Sequence, residues 1–277
     1  MHRLRRGVLP SFVLWVIGAA SASAQTVDVP GTDTAVRATT ATARATQLSG
    51  ATRWADSVRR VVDGAVIRGD VAAMNAGIAL ADRALSAFPE DGLLLHYRGY
   101  ASYRLAQLAT RNATAGDPKA LYDASLGWLD RSHAARPMAE TQALRASAMG
   151  QLMAGNMLLG VRYGASSNKA DSDADRLSPG NPRVLLLRAV ATWFKPAMFG
   201  GGEDKARAVM TRALAAFLTD VPAGGLPAWG HAEAFVWHGQ MEQKAGRGAS
   251  ARAAFEKALV LEPEYGWARQ LLGKGAP

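Results

Sequence analysis

The sequence contains no cysteine, and this absence removes several classes of site at once. Without cysteine the chain has no disulfides, no thiolate metal ligands, no thiol nucleophile and no cysteine to carry a lipid anchor. No His-Glu-x-x-His zinc motif or Gly-x-Ser-x-Gly nucleophile motif occurs either. We therefore expect no enzyme activity, no metal site and no cofactor, while a cleft built from dispersed residues stays open as an alternative.

Long apolar runs are also absent, except near the start of the chain. Three arginines within the first six residues precede a mostly apolar stretch over 8–20 and the small residues of 22–24. This order is typical of a secretory signal peptide, so we expect residues 1–24 to be cleaved after Ala24 and the protein to be periplasmic or secreted. An uncleaved N-terminal anchor is the alternative. Residues 25–50 are rich in Thr and Ala, and we interpret them as a flexible linker.

Alternating strand patterns are scarce, whereas alanine is abundant and apolar residues recur at helical spacing from Trp54 onward. Clusters of Gly, Pro and Asp divide this region into about ten or eleven helices. Asp117-Pro118 and Asn181-Pro182 each combine a capping side chain with a proline that suits the first helical turn. The pattern predicts an all-α protein built from consecutive helical hairpins.

The last of these hairpins contains a clear internal repeat. Seven residues stand at the intervals of the tetratricopeptide pattern: Phe235, Gly239, Gly246, Ala251, Phe255, Ala258 and Pro263. Weaker copies end near Pro89, Pro137 and Pro179, and a fourth has Ala206, Met210 and Ala213 in the closing positions. The region 51–277 thus resembles the tetratricopeptide repeat family. The resemblance implies an αα-hairpin solenoid, a right-handed superhelix of about five hairpins.

The formal net charge of +9 falls to +6 once the three arginines of the signal are removed. The charge is spread along the chain without a basic block, so an acidic partner and an ordinary solvated surface both remain open. An exported chain without a basic, aromatic-interleaved motif is not expected to bind nucleic acid, and no membrane span is expected after cleavage.

The family resemblance also implies a binding surface, because the first helix of each hairpin lines the concave face. Carried over to this sequence, that groove includes ten candidate partner-binding residues: His96, Tyr100, Tyr103, Arg104, Gln151, Arg183, Trp193, Glu233, Gln240 and Lys244. Aromatic and cationic side chains of this kind suit a peptide or a protein partner. The alternative is that several of them are buried by neighbouring helices.

Two functions follow from these observations. The first is an exported scaffold that binds a protein or peptide in its concave groove. The second rests on the stretch from Pro196 to Ala206, which resembles a segment of the helical T-component of TRAP-type solute transporters. That resemblance implies a ligand-binding auxiliary protein of a transporter.

Overall fold

The computed structural model describes residues 32–154 and 157–273, and the expected signal peptide lies outside them. The chain divides into two units, residues 1–44 and 45–277. The described residues form eleven α-helices and contain no β-strand. Their bounds are α1 Thr32–Arg68, α2 Val71–Ala87, α3 Gly92–Ala109, α4 Pro118–Ala135, α5 Ala139–Met153, α6 Met157–Leu177, α7 Pro182–Phe194, α8 Glu203–Phe217, α9 His231–Lys244, α10 Gly248–Leu261 and α11 Gly266–Gly273.

The helices of the second unit pack as successive antiparallel hairpins, as the repeat pattern predicts. The end of α1 and α2 form the first hairpin, in which Gly77 of α2 packs against Val62 of α1. Helices α3 and α4, α5 and α6, α7 and α8, and α9 and α10 form the second to fifth hairpins, and α11 packs on the last of them. None of the described helices is both long and apolar enough to cross a bilayer. The predicted all-α hairpin solenoid is confirmed.

The start of α1 corrects one expectation. Part of the proposed flexible linker, from Thr32 onward, is helical, while residues 25–31 lie outside the described part. No proline or glycine interrupts 32–49, and Ala and Arg in this stretch favour helix. A composition rich in Thr and Ala is therefore compatible with the observed helix.

The residues of the repeat pattern lie at the positions where the two helices of a hairpin pack closely, as the pattern predicts. Ala251, Phe255 and Ala258 are buried on α10, and a Cβ atom added to Gly239 would lie 2.4 Å from Cε1 of Phe255. The missing side chain at Gly239 thus lets the two helices of the last hairpin approach each other around the phenyl ring. The second hairpin repeats this arrangement, because a Cβ atom on Gly99 would lie 2.7 Å from Cγ of Leu129.

Candidate binding surfaces

The ten predicted groove residues divide by their accessibility. Gln151 and Lys244 are exposed, and Trp193 and Gln240 are half-buried. The other six are buried: His96, Tyr100, Tyr103, Arg104, Arg183 and Glu233. For these six the structure agrees with the alternative of burial by neighbouring helices. Contact of the remaining four with a partner stays a prediction.

The centre of the inner surface is an ion pair between the second and fifth hairpins. Arg104 of α3 donates from Nη1 and Nη2 to the two carboxylate oxygens of Glu233 on α9, at 2.9 and 2.6 Å. Burial alone would lower the pKa of Arg104, but Glu233 raises it well above its usual value. Both side chains are almost completely buried, so they are committed to each other and not presented to solvent.

Aromatic rings enclose this ion pair. Tyr100 stacks on Trp229 with ring centroids 5.2 Å apart, and the Arg104 guanidinium lies 5.1 Å from both centroids. The hydroxyl of Tyr97 donates to the backbone carbonyl of Gly225 at 2.8 Å. We call Tyr97, Tyr100, Arg104, Trp229 and Glu233 the inner cluster. Because Gly225 and Trp229 belong to the α8–α9 connection, the chain itself fills this part of the predicted groove.

The other three buried candidates, Tyr103, His96 and Arg183, have separate partners. The hydroxyl of Tyr103 shares a hydrogen bond with the hydroxyl of Ser147 at 2.7 Å. His96 contacts Thr141 through Nδ1 at 2.9 Å, and burial with nearby Arg183 lowers the His96 pKa to about 3. The His96 ring is therefore neutral at physiological pH. Arg183 of α7 pairs through both terminal nitrogens with Asp220, which follows α8. The His96 contact joins two successive hairpins, the Arg183 contact joins α7 to the segment after α8, and both leave little for an external ligand to bind.

A half-buried carboxylate stands beside the inner cluster. Asp63 of α1 accepts a hydrogen bond from Tyr100 at 3.3 Å and lies 3.6 Å from Arg59. Burial raises the pKa of Asp63 to about 6, against the opposing effect of Arg59. Carboxyl groups whose pKa is raised by burial are common in functional sites. The repeat spacing gave no reason to choose Asp63 as a candidate residue.

A second set of aromatic residues, partly packed on the core, forms a continuous series of ring contacts. Trp193 contacts Phe194 at 6.5 Å between centroids, and Phe194 contacts Trp237 at 5.9 Å. Trp237 meets Trp267 at 5.2 Å, and the guanidinium of Arg111 lies 4.3 Å from the Trp267 ring. We call these five residues the aromatic track. These contacts join distant hairpins that meet only in the fold, so the repeat spacing gave no signal for them.

The turn after α7 places further apolar side chains in solvent. Met198 is 83% exposed and Phe199 is 67% exposed, within a short 3-10 helix that precedes three glycines. A Cβ atom on Gly201 would lie 1.7 Å from the carbonyl oxygen of Lys195, so only glycine fits there. Gly200 and Gly202 have positive φ angles of 88° and 134°. The segment is an inter-helix turn whose backbone path requires glycine at these positions.

The acidic stretch near the end of α6 is used for surface ion pairs. Asp171 and Asp175 accept hydrogen bonds from Arg188, and Asp173 pairs with Lys169 and Arg176. Among the described residues, no group of three or more histidines, aspartates and glutamates is placed to hold a metal ion.

Comparison with known proteins places this arrangement in a fold class. No family model matches the chain, and no curated protein matches it. TTC0263, a thermophilic tetratricopeptide protein of Thermus thermophilus, is similar in structure with a TM-score of 0.54. It is 20% identical, and the match covers 79% of this chain and 97% of that one. The HusA haemophore of Porphyromonas gingivalis has a TM-score of 0.53 and 22% identity, over 69% of this chain and 94% of that one.

These likenesses show the fold, which is that of the tetratricopeptide helical-repeat proteins. The predicted resemblance is confirmed at this level. The protein has a helical-repeat fold, and its own side chains fill the inner surface between α3 and α9.

Proposed function

We propose that the protein is an exported scaffold that binds a protein or peptide partner through the accessible rim of its inner surface. We call the four accessible groove candidates the rim: Gln151, Trp193, Gln240 and Lys244. The observation that supports the proposal most directly is the exposure of Phe194, Met198 and Phe199 at the end of α7 and in the turn after it. Clustered exposed apolar side chains on a soluble domain often mark an interaction site.

The construction of the turn strengthens this proposal. The three glycines permit a backbone path that other residues would not adopt, and on this path Met198 and Phe199 lie in solvent. Aromatic residues and methionine are enriched in protein interfaces, where they bury large areas.

A photo-crosslinking residue at position 199 tests this function in the native cell envelope. We expect an adduct of one discrete mass, whose second protein is identified by mass spectrometry. Position 260 is a matched control, because Val260 is also apolar and 82% exposed. Adducts of the same identity from both positions, or none from position 199, would contradict the proposal.

The export part of the proposal rests on the sequence of residues 1–24. N-terminal sequencing of the protein from fractionated cells should give a chain beginning at Gln25 in the periplasm or medium. Recovery of the uncleaved chain in the membrane fraction would support the anchored alternative.

A ligand-binding auxiliary protein of the T-component type is the second candidate. A pocket of about 540 Å³ lies between α9, α10 and α11, lined in part by Phe255, Leu271 and Leu272. This volume is in the range of small-molecule sites, and one structural neighbour is described as a haemophore. Thermal shift assays with haem and with apolar organic acids would test this candidate. A concentration-dependent rise in the melting temperature that Leu271→Lys abolishes would favour it over the scaffold.

A further inference from the structure

The aromatic track crosses four separate elements of the fold. Its rings come from the end of α7, the middle of α9 and the start of α11, and its cation follows α3. Phe194 is 65% exposed, while the three tryptophans are half-buried. The track is therefore a recessed line of ring faces and edges, with Phe194 projecting at one end and Arg111 lying at the other.

Within the described part of the chain, Arg111 of the track and Lys195, which follows Phe194 in the sequence, have no acidic partner. No carboxylate of the described residues forms an ion pair with either of them. The cations over Trp128 are paired, because Arg98 pairs with Asp82 at 2.6 Å and Arg131 pairs with Glu90 at 3.1 Å. The cation at Trp267 is therefore available to an acidic ligand, unlike those at Trp128.

A buried donor lies about one helical turn from Trp237 on α9. Nε2 of Gln240, three residues after Trp237 on α9, has no hydrogen-bond partner within the described part of the chain. A buried donor without a partner is costly, and a ligand that carries oxygen acceptors would satisfy it. Carboxylates and the carbonyls of an extended backbone both meet this requirement.

We propose that the aromatic track binds an extended segment of a partner protein in which acidic residues flank apolar ones. This inference rests on the proposed scaffold function and adds the chemistry of the partner. Apolar side chains of the segment pack on the tryptophans, and its carboxylates pair with Arg111 and Lys195. A recessed surface fits a narrow chain better than a flat bilayer, because half-buried rings do not project into lipid.

Fluorescence anisotropy with three labelled peptides tests the proposal on the full mature chain. Each peptide has about twelve residues, which at about 3.3 Å per residue is long enough to cover the track. The first contains Leu and Trp among Glu residues, the second replaces Glu by Lys, and the third replaces Leu and Trp by Ser. We expect the first to bind at least about tenfold more tightly than either of the others, since acidic and apolar contacts both contribute.

Variants then assign the binding to the track. Phe194→Ala should weaken binding of the Glu peptide about tenfold or more, because Phe194 is the most exposed ring of the track and an aromatic anchor of this kind contributes strongly. Arg111→Ala should weaken it about threefold or more and reduce its dependence on salt. The controls are Val260→Ala, another exposed apolar position, and Arg131→Ala, another cation over a tryptophan. Both should bind as the unsubstituted chain does.

Several results would overturn the inference. Equal affinity for the Glu and Lys peptides would show that the partner need not be acidic. Unchanged binding by the Phe194→Ala variant would show that the peptide does not bind at the aromatic track. Binding to phosphatidylglycerol vesicles that needs Phe194, without peptide binding, would assign the surface to a membrane. A dimer that Phe194→Ala converts to a monomer would assign it to a second copy. A specific crosslink at position 199 together with any of these results would leave the scaffold function standing and reject only this inference.

Discussion

The buried ion pair between Arg104 and Glu233 joins residues that are 129 positions apart in the sequence. Two charged side chains lose much of their hydration when they are buried, and the bidentate geometry and enclosing rings offset that loss. Removal of one partner is expected to cost more than the pair contributes, because the other charge remains buried without compensation.

We expect Glu233→Gln to destabilise the protein by about 3 kcal/mol or more, since it leaves the Arg104 cation buried and unpaired. Urea unfolding followed by circular dichroism measures this loss. The exposed pair of Arg252 and Glu256 on α10 provides the control, and Glu256→Gln should change stability by less than about 1 kcal/mol. Equal effects of the two substitutions would show that the inner pair has no special structural role.

Asp63 makes the free energy of unfolding depend on pH, with a sign that follows from its raised pKa. Its pKa is about 6 in the fold, above the value of about 3.9 in an unfolded chain. Between these values the folded state holds a proton that the unfolded state has released, so the free energy of unfolding falls as pH rises from about 4 to 6. Asp63→Asn removes this contribution.

The Asp63→Asn variant should therefore gain stability relative to the unsubstituted chain as pH rises, by up to about 2 kcal/mol at pH 7. Urea unfolding at pH 4 and pH 7 measures the difference between the two proteins, in which the other carboxylates cancel. A difference that is independent of pH, or one that shrinks toward pH 7, would contradict the raised pKa.

At the scale of elements, short stretches of sequence were sufficient to predict the helices and their pairing into hairpins. Asp117 accepts hydrogen bonds from Lys119 and Ala120 at the start of α4, and Asn181 caps α7 in the same way. Such caps, and the small residues at repeat positions, act over a few residues or within one hairpin. The sequence therefore contains enough information to predict the hairpins.

The candidate site was only partly predictable, because these sequence signals act within one hairpin and the site joins several hairpins. The repeat pattern selected Arg104 and Glu233 as inner residues, but it does not encode that the second and fifth hairpins come within ion-pair distance. The aromatic track likewise depends on contacts of Trp267 with Trp237 and Arg111, from separate hairpins. These pairings follow from the curvature of the repeat array, to which every interface between hairpins contributes.

The turn after α7 requires glycine at position 201, and this requirement can be tested. We expect Gly201→Ala to destabilise the protein by about 1–3 kcal/mol, because the added methyl group would overlap the Lys195 carbonyl. Gly127→Ala is the control, since Gly127 is exposed within α4 and nothing lies near its Cβ position. That substitution should stabilise the helix by about 0.5–1 kcal/mol. Thermal unfolding of both variants measures the contrast, and a neutral Gly201→Ala would show that the turn tolerates rearrangement.

At the scale of the second unit, the last hairpin and α11 contact the first two hairpins. Glu233 pairs with Arg104, Gly225 accepts from Tyr97, and Ile67 of α1 packs on the apolar cluster around Phe255. In an open repeat array each hairpin contacts only its neighbours, so a local loss of stability is transmitted from one hairpin to the next along the chain. The contacts across the inner surface provide a second route, which bypasses the third and fourth hairpins.

Hydrogen exchange on the full-length Trp229→Ala variant distinguishes these routes. Trp229 is buried and stacks on Tyr100, so its removal should cost about 3–5 kcal/mol and loosen α3 and α9 together. We expect amides of α3 to exchange faster while those of α5 and α6, which lie between them in the chain, change much less. If protection is lost in order from α9 through α7 and α5 to α3, stability passes only between neighbouring hairpins and the inner cluster does not couple distant ones. If α3 responds first, the cluster closes the array on itself, and a partner must bind at the rim because the interior is needed to hold the hairpins together.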